Sequence, residues 1–403
     1  MLIDSVHLSY CTNIHAGDSW SEHFEALKSN LPHIKEKLSP KQAFGIGLRV
    51  SNLASQELQS EENFEQFKKW LEENDMYVFT MNGFPYGEFH REKVKENVHT
   101  PDWTSTDRLF YTLRLIGILV KLLPEGMDGG ISTSPLSYRH WFSTPTEREN
   151  AMQTATRNIV EVAEQLHRVK SVSNKTLHID IEPEPDGLLE TGDEFLDWYN
   201  NYLIPLGRKH FKDKFKLGED EVDSLIKDHV RLCYDVCHFA LGYEDHKEMI
   251  LKLEKENIQI GKFQISAALK AKLPEDGDTR KEIIQAFSEF DESTYLHQVI
   301  ANTKDGGKLR YRDLPEAIAD DNNKDTMEWR AHFHVPVFLA DYELLQSTQE
   351  DILEVLDLHK EKQRTPHIEV ETYTWNVLPE TLKLPLDESI IRELQWVRDE
   401  LMK

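Results

Sequence analysis

The nine-residue segment Leu177–Pro185 constrains the fold of this chain more than any other segment. It reads LHIDIEPEP, so three apolar residues alternate with the polar residues His178, Asp180 and Glu182. A period of two is typical of a β-strand and places these polar side chains on one face. Pro183 has no N–H to donate to a neighbouring strand, so the strand ends at Glu182. A half-exposed antiparallel strand would alternate in the same way, and this segment alone does not decide the fold.

The same pattern recurs in three later segments of the chain. Each begins as an apolar strand and ends in a carboxylate, an imidazole or an amide; the segments are Val230–His238, Ile258–Ser266 and His367–Trp375. Several strands that each end in a potential metal ligand predict one shared site at the carboxyl ends of the strands.

Short apolar strands alternate with amphipathic helices through most of the sequence. Apolar residues recur at helical spacing over Glu57–Glu73, for example, and Ser21 is predicted to cap a helix that runs to Lys37. Eight strand–helix units in 403 residues predict an α/β fold, the (β/α)8 TIM barrel, whose active sites lie at the strand carboxyl ends. A doubly wound open sheet is the alternative. It is disfavoured because no glycine-rich phosphate-binding turn follows the first strand.

A single domain spanning residues 1–403 is predicted, because no low-complexity linker or solenoid-type repeat divides the chain. We expect an elaborated segment, residues 267–330, between barrel strands seven and eight. A strand over Ala331–Phe338 is expected to follow this segment.

The charge and composition limit the partners of this protein. A formal net charge of -25 argues against nucleic acid, because an acidic surface repels phosphate groups. No apolar run is long enough to cross a bilayer, and the N-terminus does not resemble a signal peptide. Three cysteines are too few for a disulfide framework, which is typical of a reducing compartment. We therefore expect a cytoplasmic protein with a small-molecule ligand, and the sequence does not indicate its oligomeric state.

The predicted strand ends carry side chains that suit a divalent metal ion. Glu182, Asp235 and Glu371 supply carboxylates, and Gln264 supplies an amide. Asp235 has apolar neighbours, among which an aspartate is costly to bury unless it is paired or bound to metal. Oxygen ligands with one or two imidazoles suit Zn, Mn, Co or Mg, and the number of ions stays open. Ligands from separate strands leave coordination positions open to substrate, as a catalytic site requires.

Three histidines add candidate functions to this site. His238 follows Asp235 by three residues and is a candidate catalytic group. His332 and His334 share one face of the expected strand, so they suit metal ligation, predicted for His334, or substrate binding, predicted for His332. Cys237 is not predicted to be a nucleophile, because no orienting group is evident.

Substrate contacts are predicted at the ends of other strands and in aromatic-rich loops. Polar side chains there would orient a substrate by hydrogen bonds, and aromatic rings would exclude water from it. The predicted residues are Asn13, His15, Asn82, Tyr86, His332 and Trp375, with Phe84 and Trp103 as further candidates for the pocket wall.

The Glu182 strand, the Asp235-x-x-His238 motif and the late Glu371 strand resemble the xylose isomerase-like TIM-barrel superfamily. That superfamily includes sugar isomerases, ketose epimerases and DNA repair enzymes of the endonuclease IV type. Longer strings are similar to the bacterial EboE family, which is named for a role in metabolite traffic and is described as sugar phosphate isomerase/epimerase-like. These strings are Tyr10–His15, Asn82–Gly87, Pro101–Trp103 and Val370–Trp375.

The superfamily resemblance implies a set of metal ligands. It assigns Glu182, Asp235 and Glu371 to the metal, and it directs His238 toward substrate or a second metal. Epimerases of this kind usually place a histidine ligand on strand seven, where this chain has Gln264. Either Gln264 ligates through its amide oxygen, or one of the histidines at 332 and 334 replaces it.

Three functions follow as hypotheses. The favoured one is a metal-dependent isomerase or epimerase of a sugar-like or polyol metabolite, in which Glu182 and Glu371 transfer a proton next to a carbonyl. The second is a metal-dependent phosphoesterase of the endonuclease IV type, which the extra histidines favour and the acidity of the chain opposes. The third is a metabolite-binding or trafficking component that keeps the pocket without turnover, and Gln264 is its main support.

Overall fold

The computed structural model describes residues 1–87, 95–291, 295–375, 378 and 383–403. Within them the strands are β1 (Leu2–Ile3), β2 (Val6–Tyr10), β3 (Phe44–Arg49), β4 (Met76–Asn82), β5 (Gly129–Thr133), β6 (Leu177–Ile181), β7 (Val230–Asp235), β8 (Ile260–Ile265), β9 (Leu269–Lys272), β10 (Val299–Thr303), β11 (Lys308–Tyr311), β12 (Thr326–Ala331), β13 (Asp341–Tyr342), β14 (Leu345–Ser347) and β15 (His367–Val370). The helices are α1 (Trp20–Leu38), α2 (Asn52–Glu57), α3 (Glu61–Glu73), α4 (Thr106–Leu122), α5 (Pro145–Ser173), α6 (Gly192–Trp198), α7 (Ile204–Phe215), α8 (Glu219–His229), α9 (Val236–Leu241), α10 (His246–Lys255), α11 (Gly277–Ser288), α12 (Leu314–Ala319), α13 (Gln349–Glu361) and α14 (Leu386–Leu401).

Eight parallel strands form a nearly closed barrel in the order β2-β15-β8-β7-β6-β5-β4-β3, and β1 pairs antiparallel with β2. The two edges of this sheet meet at a parallel bridge between Cys11 and Gly47. Side chains reinforce the seam, because Ser9 Oγ accepts from Gly47 N–H at 3.2 Å and Thr12 Oγ1 accepts from Arg49 N–H at 2.8 Å. The (β/α)8 barrel predicted from the sequence is therefore confirmed, and the open-sheet alternative is wrong.

The barrel interior is polar where such barrels are usually filled with branched apolar residues. A Cβ atom at position 261 would lie 1.9 Å from Asp180 Oδ1, and a Cβ atom at position 47 would lie 1.7 Å from Glu369 Oε1. Gly261 and Gly47 are thus required for these carboxylates to enter the interior. The strict alternation along the strands is the cause, since it turns the polar face of each strand inward.

An ion pair between Lys262 and Glu369 lies in the middle of this interior, and neither side chain is exposed. Burial acts to lower the pKa of Lys262, but the Glu369 carboxylate outweighs burial and raises it above its ordinary value. The lysine therefore stays charged inside the barrel.

The helices outside the barrel begin at side-chain caps. Ser19 caps α1 and forms a capping box with Glu22, so the predicted cap at Ser21 is wrong by two residues. Thr144 and Glu147 form the equivalent box at the start of α5, where Pro145 occupies the first helical turn. Among the described residues, no helix is both long enough and apolar enough to cross a lipid bilayer.

A second, antiparallel sheet lies between β8 and β15 in the chain, in the order β11-β10-β12-β9-β14-β13. The proposed boundaries of the elaborated segment, residues 267–330, remain a prediction. The strand expected over Ala331–Phe338 is wrong, because β12 ends at Ala331. The following residues form a loop that is held to the end of β8 by a hydrogen bond from Val335 N–H to Ala267 O at 3.0 Å.

Replacing Lys262 by methionine should destabilise the fold by about 3–5 kcal/mol, because the Glu369 carboxylate stays buried without its cation. The free energy of unfolding in urea measures this loss. The double variant Lys262→Met/Glu369→Leu should recover most of it, because both charges are removed. Lys304→Met, which breaks an exposed ion pair with Glu275, is the matched control and should cost less than about 1 kcal/mol. A loss for Lys262→Met no larger than the control's would contradict the role assigned to the pair.

Candidate metal centre

Three carboxylates meet at the carboxyl end of the barrel. Glu182 follows β6, Asp235 ends β7 and Glu371 follows β15. One oxygen atom of each lies within 4.8 Å of the other two, and all three side chains are buried. Backbone hydrogen bonds hold both glutamates, from Glu182 N–H to Thr133 O at 3.0 Å and from Glu371 N–H to Ile265 O at 2.9 Å. The structure thus brings together side chains from three separate strands.

Gln264 of β8 lies in the middle of these carboxylates. Its Nε2 atom is 2.9 Å from Glu182 Oε1, 2.8 Å from Asp235 Oδ2 and 2.5 Å from Glu371 Oε2. An amide nitrogen has two hydrogen atoms, so it cannot satisfy three carboxylates at once. The amide oxygen points away and lies 3.7 Å from Cys233 Sγ. Ligation through the Gln264 oxygen therefore requires the amide group to rotate.

Neutral donors orient the carboxylates from the outside. Asn13 Nδ2 and Asn82 Nδ2 both donate to Glu371 Oε1, at 2.6 Å and 3.1 Å. Ser266 Oγ donates to Asp235 Oδ1 at 2.6 Å. Hydrogen bonds of this kind fix the direction in which a ligand presents its remaining oxygen.

The cluster carries more negative charge than its surroundings neutralise. Burial raises the pKa of Glu182 well above its ordinary value, and the charges of Glu371 and Asp235 raise it further. Burial also acts to raise the pKa of Asp235, but His238 and His334 outweigh it, and that pKa is lowered. Within the described part of the chain, Glu182 Oε2 has no hydrogen-bond partner. A buried, unsatisfied carboxylate oxygen beside two further carboxylates fits a divalent cation.

His334 lies beside the carboxylates. Its Nδ1 is 3.2 Å from Glu371 Oε2, and its Nε2 is 3.9 Å from Asp235 Oδ2. Burial acts to lower the pKa of His334, but the two carboxylates outweigh it and the pKa is raised. The ring stacks on Tyr373 with 4.6 Å between the centroids, which holds it at the edge of the cluster.

His238 and His332 form a separate pair whose Nε2 atoms are 3.2 Å apart. Their Nδ1 atoms donate to Pro183 O at 3.0 Å and to Gln298 Oε1 at 2.8 Å. The Gln298 amide orientation is fixed in turn, because its Nε2 donates to Pro185 O at 3.2 Å. A neutral imidazole protonated at Nδ1 has a lone pair at Nε2. Two lone pairs therefore face each other, and only a proton or a cation between them removes the conflict.

The two glutamates and the three histidines described above line one cavity at the mouth of the barrel. Aromatic rings and polar groups both contribute to its wall, so that a polyhydroxylated molecule would meet apolar faces and hydrogen-bonding groups. The lining includes Asn13, Asn82, Phe84, His99, Glu182, Glu184, His238, Tyr295, Gln298, His332, His334, Glu371 and Tyr373.

A buried pair in this cavity, Glu184 and His99, was not predicted. Glu184 Oε1 lies 3.1 Å from His99 Nε2. Burial raises the pKa of Glu184 well above its ordinary value, and the Asp235 charge raises it further. Glu184 could have been predicted as a site residue from its position between two prolines, shortly after β6. His99 and Gln298 lie far from it in the sequence, and no local sequence pattern indicates that they reach the cavity.

Tyr86 does not line the cavity, although a substrate contact was predicted for it. Its ring packs edge-on against Tyr111, with 5.1 Å between the centroids. The reason is Arg108, which donates to Gly83 O at 2.7 Å and to Phe84 O at 2.8 Å. These bonds fix the loop so that Phe84 faces the cavity while Tyr86 faces a shallow depression on the outer surface.

Three other predicted contacts also lie outside the cavity lining. His15 Nε2 is bonded to the Tyr10 hydroxyl at 2.8 Å. Trp103 is fully buried and donates from Nε1 to Thr133 Oγ1 at 3.0 Å. Trp375 is half-buried, and the lining position on its segment is taken by Tyr373.

Comparison with known proteins identifies the fold. No family model and no curated protein matches the sequence. Among solved structures, a D-tagatose 3-epimerase-like protein is similar with a TM-score of 0.51 and 10% identity, over 98% of this chain and 97% of that one. The fold is a (β/α)8 TIM barrel similar to that of this epimerase-like protein.

Two further barrels are similar to this one at lower TM-scores. The IOLI protein with a bound zinc atom has a TM-score of 0.48 and 12% identity, over 98% of each chain. A xylose isomerase-like TIM barrel protein from Mycobacterium smegmatis in complex with magnesium has a TM-score of 0.48 and 11% identity, over 98% of this chain and 96% of that one.

Binding of Mn²⁺ to the metal-free protein should release a proton, because Glu182 must lose one before it can ligate the ion. Since the pKa of Glu182 is raised, the proton is bound below that pKa, and metal affinity should increase as the pH rises. Calorimetry in two buffers of different ionisation enthalpy measures the release.

The Glu182→Gln variant should release fewer protons than the wild type. The matched control is Glu244→Gln, which removes a remote carboxyl whose pKa is raised to about 7 by burial. Its proton release should equal that of the wild type. Equal release from Glu182→Gln and the wild type would show that this carboxyl is not a ligand.

Proposed function

We propose that this protein is a divalent-metal-dependent isomerase or epimerase of a sugar-like or polyol metabolite, acting by proton transfer next to a carbonyl. The observation that carries the proposal is the group of three buried carboxylates within 4.8 Å of one another. Two members of the group, Glu182 and Glu371, line a cavity together with imidazoles, amides and aromatic rings. It also lies at the end of the barrel where enzymes of this fold have their active sites.

The residues at the barrel mouth fit a divalent cation, which when bound would polarise a substrate carbonyl as a Lewis acid. We assign Glu182, Asp235 and Glu371 as the carboxylate ligands and His334 as the nitrogen ligand. With an imidazole in the set, Zn, Mn and Co suit the site better than Mg. Gln264 becomes a ligand only when its amide rotates away from Cys233 and presents the oxygen.

Glu182 and Glu371 are the proposed proton-transfer groups. Burial and the neighbouring carboxylates raise the pKa of Glu182, which makes its carboxylate a stronger proton acceptor. Glu371 is fixed by two amide donors, Asn13 and Asn82, so its other oxygen has a defined direction. One of the two carboxylates takes the proton from the carbon next to the carbonyl, and the same group or the other returns it.

The rest of the cavity would position the substrate. His238 and His332 contribute imidazole rings to the cavity wall, and Asn82 contributes an amide group. Phe84 and Tyr373 cover the apolar face of a sugar-like ring and exclude water from it. Exclusion of water protects an enediolate from stray protonation. The resemblance to the EboE family, and with it a role in metabolite traffic, remains a prediction because no family model matches the sequence.

Metal-loaded protein incubated in D₂O with a panel of ketoses, aldoses and inosose-type polyols should incorporate deuterium next to the carbonyl of its substrate. Glu182→Gln and Glu371→Gln should each lower the rate by about 10²–10⁴-fold, because each removes a proton-transfer group. Proton NMR of the recovered sugar measures the exchange.

Glu350→Gln, a change at an exposed glutamate, is the control and should retain the full exchange rate. Absence of exchange in the metal-loaded wild type across the whole panel would contradict the isomerase proposal. Full exchange in Glu371→Gln would contradict the role of that residue.

A binding component without turnover is the second candidate, and the position of Gln264 favours it. The Gln264 amide nitrogen lies between the three carboxylates and directs its N–H groups at them. In a metal enzyme, a ligand at this position would direct a lone pair at the metal ion instead. A neutral amide there substitutes in part for a cation, so the pocket can persist without metal.

Gln264→His should distinguish these two candidates. An imidazole at this position has a lone pair for the metal, so Mn²⁺ affinity should rise by about tenfold or more. Fluorescence titration of the metal-free variant measures the affinity. If the wild type is a binding component, it should bind its metabolite equally well with and without Mn²⁺, whereas an isomerase should bind it more tightly with the metal.

The third candidate, a metal-dependent phosphoesterase, is favoured by the facing lone pairs of His238 and His332. A second cation between them would lie beside the carboxylate cluster, as two-metal phosphoryl transfer requires. The phosphoesterase function requires at least two cations at the barrel mouth, whereas the isomerase function requires one. The net charge of -25 leaves small phosphate esters as its substrates, because nucleic acid is repelled.

A further inference from the structure

A second group of metal-binding side chains lies at the opposite, amino-terminal end of the barrel. Asp128 directly precedes β5, His178 belongs to β6 and His367 begins β15. One ligand atom of each lies within 4.8 Å of the other two. His178 Nε2 is 3.7 Å from Asp128 Oδ2, and His367 Nε2 is 3.5 Å from Asp128 Oδ1. We name these three residues the amino-end site.

The distances in the amino-end site suit a bridging ion better than direct hydrogen bonds. Nitrogen–oxygen hydrogen bonds are about 2.7–3.2 Å long, so separations of 3.5 and 3.7 Å are too long for them. Two ligands bound tetrahedrally to one Zn²⁺ at about 2.0–2.1 Å lie about 3.3 Å apart. Contraction by a few tenths of an ångström would bring each imidazole nitrogen to that spacing from its Asp128 oxygen.

The protonation of His178 is set for ligation. Its Nδ1 lies 2.5 Å from Asp180 Oδ1, and a carboxylate accepts, so the ring proton is at Nδ1 and the lone pair is at Nε2. A carboxylate behind a histidine in this way is typical of metal sites, because it fixes both tautomer and ring direction. The packing reserves room for the pair, since a Cβ atom at Gly130 would lie 2.5 Å from both His178 Cε1 and Asp180 Oδ2.

Three buried ring nitrogens in this site have nothing to bond to. Within the described residues, His178 Nε2 and both Nδ1 and Nε2 of His367 lack hydrogen-bond partners, and both side chains are fully buried. Buried polar atoms of this kind are rare in folded proteins and indicate a missing partner.

Charged neighbours also accommodate an added cation. Arg231 Nη1 donates to Asp128 Oδ2 at 2.9 Å, which fixes the carboxylate and leaves Oδ1 free toward His367. The guanidinium at this distance favours the ionised form of the Asp128 carboxyl group. Together, the Asp128 and Asp180 carboxyl groups offset the charge of the guanidinium and part of the charge of a divalent ion.

We propose that Asp128, His178 and His367 bind a divalent transition-metal ion at the amino-terminal end of the barrel. Two imidazoles and one carboxylate favour Zn²⁺, Co²⁺, Ni²⁺ or Fe²⁺ over Mg²⁺ and Ca²⁺. The Asp128 side chain is 26% exposed, so the fourth ligand is water entering from that side. The ion joins β6 to β15 across the interior and closes this end of the barrel. This metal site does not depend on the function proposed for the barrel mouth.

The test uses Co²⁺ as the probe and the full-length double variant Glu182→Gln/Glu371→Gln, in which the mouth is disabled. This variant should still bind one equivalent of Co²⁺, seen by elemental analysis and by visible d–d absorption, and its melting temperature should rise on binding. Adding His367→Gln should abolish all three signals. Adding His7→Gln, the same change to a neighbouring histidine whose Nδ1 is bonded to Tyr77 instead, should leave them intact.

Retention of the Co²⁺ signals after His367→Gln, or their absence from the double variant, would overturn the proposal. If His367→Gln does not fold, Asp128→Asn keeps the hydrogen bond to Arg231 and removes only the charged ligand, so it should lose the ion with the fold intact. Anomalous scattering from wild-type crystals grown with Co²⁺ provides an independent measurement. It should show a peak at about 2.0–2.2 Å from both imidazoles and from Asp128, and no peak there would equally overturn the site.

Discussion

The Lys262 ammonium group and the Glu369 carboxylate pair in the middle of the barrel, and no solvent reaches either side chain. Transfer of such charges from water is expensive, and a buried pair persists only where each charge remains matched. The rest of the interior follows from this requirement. Glycine at positions 47 and 261 leaves space for Glu369 and Asp180, because any larger residue would overlap their oxygen atoms. A barrel filled in this way has a stack of charged layers where most have a stack of branched apolar ones.

The two ends of this stack differ in their side chains. At the mouth, Glu182, Asp235 and Glu371 face an amide nitrogen that cannot satisfy all three, so negative charge is in excess. At the amino end, the imidazoles of His178 and His367 lie around one carboxylate, and within the described residues three of their nitrogens lack hydrogen-bond partners. The small cation proposed at each end would meet different ligands. Carboxylates dominate the first set and imidazoles dominate the second, so the two ends should differ in the metal that they prefer.

The fold and the convergence of the carboxylates could be predicted because both follow from a period of two along the strands. Residues at the end of a parallel strand have their position fixed by the sheet, so Glu182 and Glu371 required no knowledge of loops. Loop residues behaved differently. His334 reaches the carboxylates from a segment expected to be a strand, and hydrogen bonds of Arg108 turned Tyr86 away from the cavity. Such contacts join residues distant in sequence, and no local pattern encodes them.

The alternation along β6 and β15 also indicates the amino-end site, although only the carboxyl ends of these strands were predicted to bind metal. His178 and Asp180 lie on the same strand face as Glu182, and His367 and Glu369 lie on the same face as Glu371. At about 3.3 Å per residue, the histidine and the terminal glutamate of each strand are about 13 Å apart along it. Asp180 and Glu369 lie between, each with one oxygen that lacks a hydrogen-bond partner among the described residues. Two cations at opposite ends would therefore be separated by a layer that holds two carboxyl groups and the single Lys262 ammonium group, and the carboxyl groups offset part of the repulsion between the cations. The same two strands can thus supply a ligand set at each end without the occupation of one end excluding that of the other.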